Sequence, residues 1–117
     1  MTSTQVINLQ YLKTMAEGDA DLEKTMLEMI LDELPGEFAS MQELYAKQDW
    51  HELFQMSHKM KSTLAFVGNA EMTEANKAVE YRTRNNVNLE EVGMYMDELS
   101  KHFNQVMAAL REALEAY

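Results

Sequence analysis

The chain has 117 residues, of which 46% are apolar and 26% charged, with no Cys and a formal net charge of −10. That length suits one domain around one core, the missing Cys removes disulfide frameworks and thiolate metal sites, and the acidity argues against nucleic acid, whose phosphates call for Lys and Arg. The N-terminus has no leader-like pattern, and no stretch approaches the roughly 20 apolar residues of a membrane span, so a soluble, cytoplasmic protein with no membrane partner is expected.

With 4 Gly and 1 Pro against 11 Met, the chain lacks the punctuation of all-β proteins and reads as all-helical, its core filled by flexible thioethers. A short first helix is expected over Leu9 to Glu17, with Asn8 as N-cap, Ile7 as the preceding apolar contact and Gly18 as the stop. Asp19 or Asp21 then opens a second helix whose Leu22, Met26, Met29 and Ile30 recur at helical spacing up to Leu34. Pro35 should kink or restart it, and the pattern resumes through Phe38, Met41, Leu44 and Tyr45.

In "KQDWHEL", Asp49 with Glu52 three residues later makes a capping box, which starts a helix from Trp50 to about Val67. Gly68 is suited to end that helix, and Asn69 to cap the next one, which runs to about Arg84. "RNNVN" is turn-like, and Asn88 with Glu91 suggests a last start. Val92, Met96, Leu99, Phe103, Val106, Leu110 and Leu114 then hold a spacing near 3.5. These elements predict an antiparallel helical bundle with short connections.

The acidity is uneven. Residues 57–88 hold five basic side chains (Lys59, Lys61, Lys77, Arg82, Arg84) and three acidic ones (Glu71, Glu74, Glu80), whereas the rest holds five basic and seventeen acidic. Such a segment suits a small anion, or else is simply a solvated helix face. The helix expected from Trp50 to about Val67, which runs into this segment, has an apolar stripe of Leu53, Met56, Met60, Leu64 and Val67, with Ser57 inside it. At about 100° per residue, His58 falls roughly 140° from the centre of that stripe. Lys61, Ser62 and Ala65 share the His58 face. The two small residues leave the imidazole uncovered, and Phe54 can pack against one edge of the ring. An accessible imidazole beside a fixed ammonium suits nucleophilic attack on a phosphoryl group, with Lys61 offsetting the charge of the adduct.

The stretch "SHKMKSTLAFVG" resembles the signature of histidine-containing phosphotransfer (HPt) domains, in which the acceptor His is followed three residues later by Lys, then by a small residue, and later by a Gly that ends the helix. Here these are His58, Lys61, Ser62 and Gly68. "AVEYRTR" falls where that family carries an acidic or amide residue on the neighbouring helix, which points to Glu80. The resemblance covers most of the chain and implies an antiparallel four-helix bundle, up-down-up-down, with a short additional N-terminal helix, as one domain over 1–117. It implies a phosphocarrier, not an enzyme, relaying a phosphoryl group between Asp residues of receiver domains through His58. The partner would be the receiver domain of a hybrid histidine kinase or of a response regulator, and that receiver would bring the Mg²⁺; no intrinsic cofactor or metal is expected. Two positions depart from the pattern: Ser62 stands where Gly is commoner, and Leu64 where small residues are frequent.

Lys59 lies about 100° around the helix from His58 and is either a phosphate contact or a solvated charge. Glu80 could fix the His58 tautomer through the ring nitrogen that is not phosphorylated. Arg82 and Arg84 are candidates for a docking rim or for a helix end favoured by positive charge. Tyr11, Met15 and Phe66 are, by analogy with the family, an apolar docking patch. His51 and His102 read as ordinary surface residues. A di-iron bundle would need Glu-x-x-His pairs, and none of the three His has a Glu three residues before it. The remaining alternative is a bundle that binds a receiver or kinase without transferring phosphate. A standalone monomer is expected, because the chain begins at Met1 and one bundle can use all the apolar stripes.

Overall fold

A computed structural model describes residues 6–117; residues 1–5 of the expected 1–117 domain lie outside the described residues. The helices are α1 (Gln10–Met15), α2 (Ala20–Ala46), α3 (Trp50–Val67), α4 (Ala70–Asn85) and α5 (Val92–Glu115), with a 3-10 turn over Leu89–Glu91 before the last. Side-chain caps open three of them. Asp19 accepts from the Leu22 N–H, Asp49 from Glu52 and Asn69 from Met72, each satisfying an orphan donor of the first turn. The choice between Asp19 and Asp21 therefore falls on Asp19.

Several boundaries depart from the sequence reading. α1 is shorter than Leu9 to Glu17, although Asn8 Oδ1 does accept from the Gln10 N–H at 3.0 Å. Pro35 does not restart a helix: α2 runs unbroken for 27 residues. Leu27, Ile30 and Leu34 before the proline and Phe38 and Met41 after it are all buried, so packing on both sides outweighs one lost backbone bond. Asn88 adopts φ 48° and makes no side-chain cap. Its intended partner Glu91 instead accepts from Arg82 Nε and Nη2 at 3.0 and 2.8 Å, and α5 begins only at Val92.

Contacts between neighbouring helices pair low numbers with high ones, as antiparallel packing requires. Glu37 meets Thr63 and Tyr45 meets Trp50 across α2–α3, Ser57 meets Asn76 across α3–α4, and Arg82 meets Tyr95 across α4–α5. Phe38 stacks on Phe103 at 4.8 Å and closes the ring from α2 to α5. Leu27, Leu34, Met41, Leu53, Met60, Leu64, Met72, Leu99 and Leu110 are fully buried, each such side chain contributing about 1.5–3 kcal/mol. The α5 stripe is buried at Val92, Met96, Leu99, Val106 and Leu110 and half-buried at Phe103 and Leu114. The α2 stripe differs from its sequence reading: Leu22 and Met29 are exposed, and Leu27 and Leu34 take the core. Glu23 and Glu37 lie on that buried face and hide its register from a count of apolar residues.

Candidate functional site

The site is set by the seam between α3 and α4. Ser57, fully buried, donates to Asn76 Oδ1 at 2.7 Å, and Asn76 Nδ2 donates back to the Ser57 carbonyl at 3.0 Å. This reciprocal pair fixes the register of the two helices beside the next residue, His58. The His58 side chain is 60% exposed, and its Nδ1 lies 2.7 Å from Glu80 Oε2. Phe54 packs against the ring with centroids 6.0 Å apart.

Glu80 is buried, only 8% exposed. Burial alone raises its carboxyl, but the hydrogen bond from His58 and the charge of Lys61 together outweigh it and hold the group below the ordinary value of 4.5. An ionised carboxylate can only accept, so Nδ1 must carry the proton. In the neutral ring the lone pair is then on Nε2, on the open side of the imidazole. Lys61 Nζ sits 3.6 Å from the same Oε2, and its half-exposed side chain keeps an ammonium beside the imidazole. Ser62 and Ala65 are exposed, leaving the approach to the ring uncrowded. The set His58, Lys61 and Glu80 can therefore present a neutral imidazole nucleophile with a cation at hand and a buried anion behind it.

Gly68 ends α3 at φ 72°, the left-handed region that favours glycine. It does more than stop a helix. A Cβ there would collide with the Asn8 carbonyl, because the Asn8 N–H donates to the Val67 carbonyl at 2.9 Å and Asn69 Nδ2 donates to the Val6 carbonyl at 2.8 Å. The N-terminal segment is strapped across the end of α3, and local spacing gave no sign of it.

Other candidates fall elsewhere. Lys59 points away from His58 into a groove with Asp32, Glu33 and Glu37, so it is not part of the His58 cluster. Arg82 is tied to Glu91 and stacked over Tyr95 at 4.6 Å, so its guanidinium is engaged within this chain. Arg84 remains exposed. Tyr11 stacks on Phe66 at 5.2 Å, and Tyr11 and Met15 are half exposed, forming an apolar patch at the far end of α3. His51 and His102 contact Gln55 and Glu98 on their own helices. Among the described residues, no group of three His, Cys, Asp or Glu is arranged to hold a metal, and no helix is long and apolar enough to cross a membrane.

Two polar devices escaped the sequence reading: the Ser57–Asn76 pair and a Thr63 hydroxyl that donates to Glu37 Oε2 at 3.1 Å between α3 and α2. Ser57 inside an apolar stripe was the available signal for the first.

A sequence model of the Hpt domain matches residues 25–116. Among solved structures, the HPT domain from the Hpt sensor hybrid histidine kinase of Shewanella aligns with a TM-score of 0.82 and 20% sequence identity, covering 96% of each chain. The two share a fold. A search of curated proteins gave no significant match.

Proposed function

The chain belongs to the Hpt domain family, and from that premise we propose that it relays a phosphoryl group through Nε2 of His58. Histidine phosphotransfer in phosphorelay signalling is its role, and its partners are receiver domains. The observation that carries the residue assignment is the 2.7 Å contact between His58 Nδ1 and the buried, ionised Glu80.

In this reading the Nε2 lone pair attacks the phosphorus of a receiver's aspartyl phosphate, the P–O bond to the aspartyl oxygen breaks, and the aspartate leaves as a carboxylate. The ring gains a P–N bond while keeping its Nδ1 proton, so positive charge develops on the imidazole. Glu80 stabilises that charge through the hydrogen bond already formed, with no reorganisation required. Lys61 offsets the phosphoryl oxygens from the exposed side. Return to a second receiver reverses each step. Positioning two reactants in line supplies much of the acceleration, and the Mg²⁺ of the reaction is assigned to the receiver. We assign a monomer to the active form, since α2 to α5 bury their faces against one another.

The test is transfer from phosphorylated receiver domains to the wild type and to His58→Gln, read by intact mass and acid lability. An acid-labile phosphate on the wild type alone is expected. Phosphate on the variant would overturn the assignment, and a receiver that binds without transferring would favour an interaction module instead.

A further inference from the structure

Several helix hydroxyls of this chain are already engaged. Ser57 donates to Asn76 and Thr63 to Glu37, while Thr14 and Thr83 donate to the carbonyls of Gln10 and Val79 one turn back. Ser62 differs. It is exposed, one turn beyond His58, and among the described residues its hydroxyl makes no hydrogen bond, not even to the His58 carbonyl that a helical Ser can reach. A helical side chain leans toward the N-terminus and covers the turn before it. With about 5–6 Å between Cβ atoms at i and i+4, the Ser62 hydroxyl is carried toward His58. The two neighbours in sequence border different flanks. Lys61 lines the groove toward α4 with Glu80, whereas Ser62 lines an apolar groove toward α2 with Met26, Met29, Ile30 and Phe66. Donors are scarce on that second flank: Thr63 is committed to Glu37, and Lys59 faces Asp32, Glu33 and Glu37. Nδ1 of His58 is turned to Glu80 on α4, so the Nε2 lone pair is directed away from α4.

We propose that the Ser62 hydroxyl is a phosphate-binding donor, which hydrogen-bonds an oxygen of the phosphoryl group on Nε2 from the flank opposite Lys61. The proposal rests on the relay reading of His58. The hydroxyl keeps its proton and forms no bond to phosphorus; the P–N bond is made and broken by the ring as described above. A phosphoryl group presents three acceptor oxygens in different directions, and an ammonium on the α4 side reaches only some of them. Ser62 supplies the other side with a neutral donor, fixed on the same helix as the nucleophile and in place before the reaction starts. Glycine, commoner at this position in the family, gives room and no donor. In this chain the residue stays small and adds the hydroxyl.

The experiment separates the hydroxyl from the room around it. Ser62→Ala removes the donor at nearly constant size and favours the helix, and Ser62→Gly removes it while opening more space. Single-turnover transfer at saturating phosphorylated receiver is measured with receiver affinity, and phosphorus NMR is recorded on His58 loaded from phosphoramidate. Both variants should lose about three- to tenfold in saturating rate, keep their receiver affinity, and show a displaced phosphohistidine resonance. A purely spatial role predicts Ser62→Ala at the wild-type rate, Ser62→Gly as fast or faster, and an unmoved resonance; that result overturns the proposal. A loss confined to Ser62→Gly would place the effect in helix stability and overturn it too, as would a loss of receiver affinity that accounts for the slower transfer. Phosphoramidate needs no receiver, so an unmoved resonance sinks the Ser62 assignment even where transfer is intact. If no receiver phosphorylates the wild type, the relay reading itself fails, and this inference falls with it.

Discussion

Two glutamates are buried against α3, and they behave oppositely. Glu80 reaches it from α4 and Glu37 from α2, at 8% and 6% exposure. Glu80 is held below the ordinary carboxylate value because, although burial raises it, His58 and Lys61 more than compensate. Glu37 is pushed above that value, chiefly by burial. The Thr63 hydrogen bond opposes the shift, Glu33 adds to it, and the charge of Lys59 opposes it. One of its oxygens, Oε1, is buried without a hydrogen-bond partner. Burial therefore does not decide whether a carboxylate works as an anion; the charged donors within reach do. On the α4 side those donors are the residues of the site.

The comparison would be broken most sharply at Glu80. Glu80→Ala leaves His58 Nδ1 without its acceptor and removes the anion that stabilises the charged ring. Single-turnover transfer should slow by roughly a hundredfold while the helical circular dichroism persists. Glu80→Gln keeps an acceptor and loses the charge, so a smaller loss of about tenfold is expected. If the two variants are equally impaired, the acceptor geometry adds nothing to the charge.

Lys61→Ala separates the electrostatic terms. Transfer should fall several-fold, and the Glu80 carboxyl, followed by carbon NMR, should titrate closer to 4.5. A Glu80 titration unmoved by the substitution would detach Lys61 from the cluster.

The smallest effect is expected on the other side of α3. Glu37→Gln should leave transfer unchanged and stabilise the fold at pH 7 by about 1 kcal/mol in urea unfolding. Its pH dependence follows from the sign of the shift. A carboxyl raised on folding binds its proton more tightly in the native state, so stability present below 4.5 is lost as pH rises through the raised value. Glu80 has the reverse sign, contributing stability above 4.5 that is lost as pH falls through its lower native value. Glu37→Gln should accordingly flatten the stability profile above pH 4.5, and Glu80→Gln should flatten it below. Matching profiles for the two variants would contradict the contrast.

The sequence carried the local half of this account. His58, Lys61, Ser62 and Ala65 share one face of one helix, so a helical count suffices to group them, and Asp49, Asn69 and Gly68 announce themselves as caps. Glu80 stands 22 residues from His58, and only the family resemblance pointed to it. The Ser57–Asn76 pair and the strap of Val6 and Asn8 over Gly68 and Asn69 join residues far apart in the chain, and no periodicity encodes them. The Pro35 restart and the Asn88 side-chain cap are absent for a related reason: core packing and the Arg82–Glu91 pair overrode local signals that, taken alone, were sound.

The most direct measurement is of the ring itself. Long-range proton–nitrogen NMR on the phosphorylated chain, with nitrogen-15 in the histidines, reads which nitrogen of which histidine carries phosphorus and which carries the proton. The account predicts phosphorus on Nε2 of His58 and a proton on Nδ1, with that Nδ1 signal perturbed in Glu80→Gln. Phosphorus on Nδ1 of His58, or on His51 or His102, would contradict it.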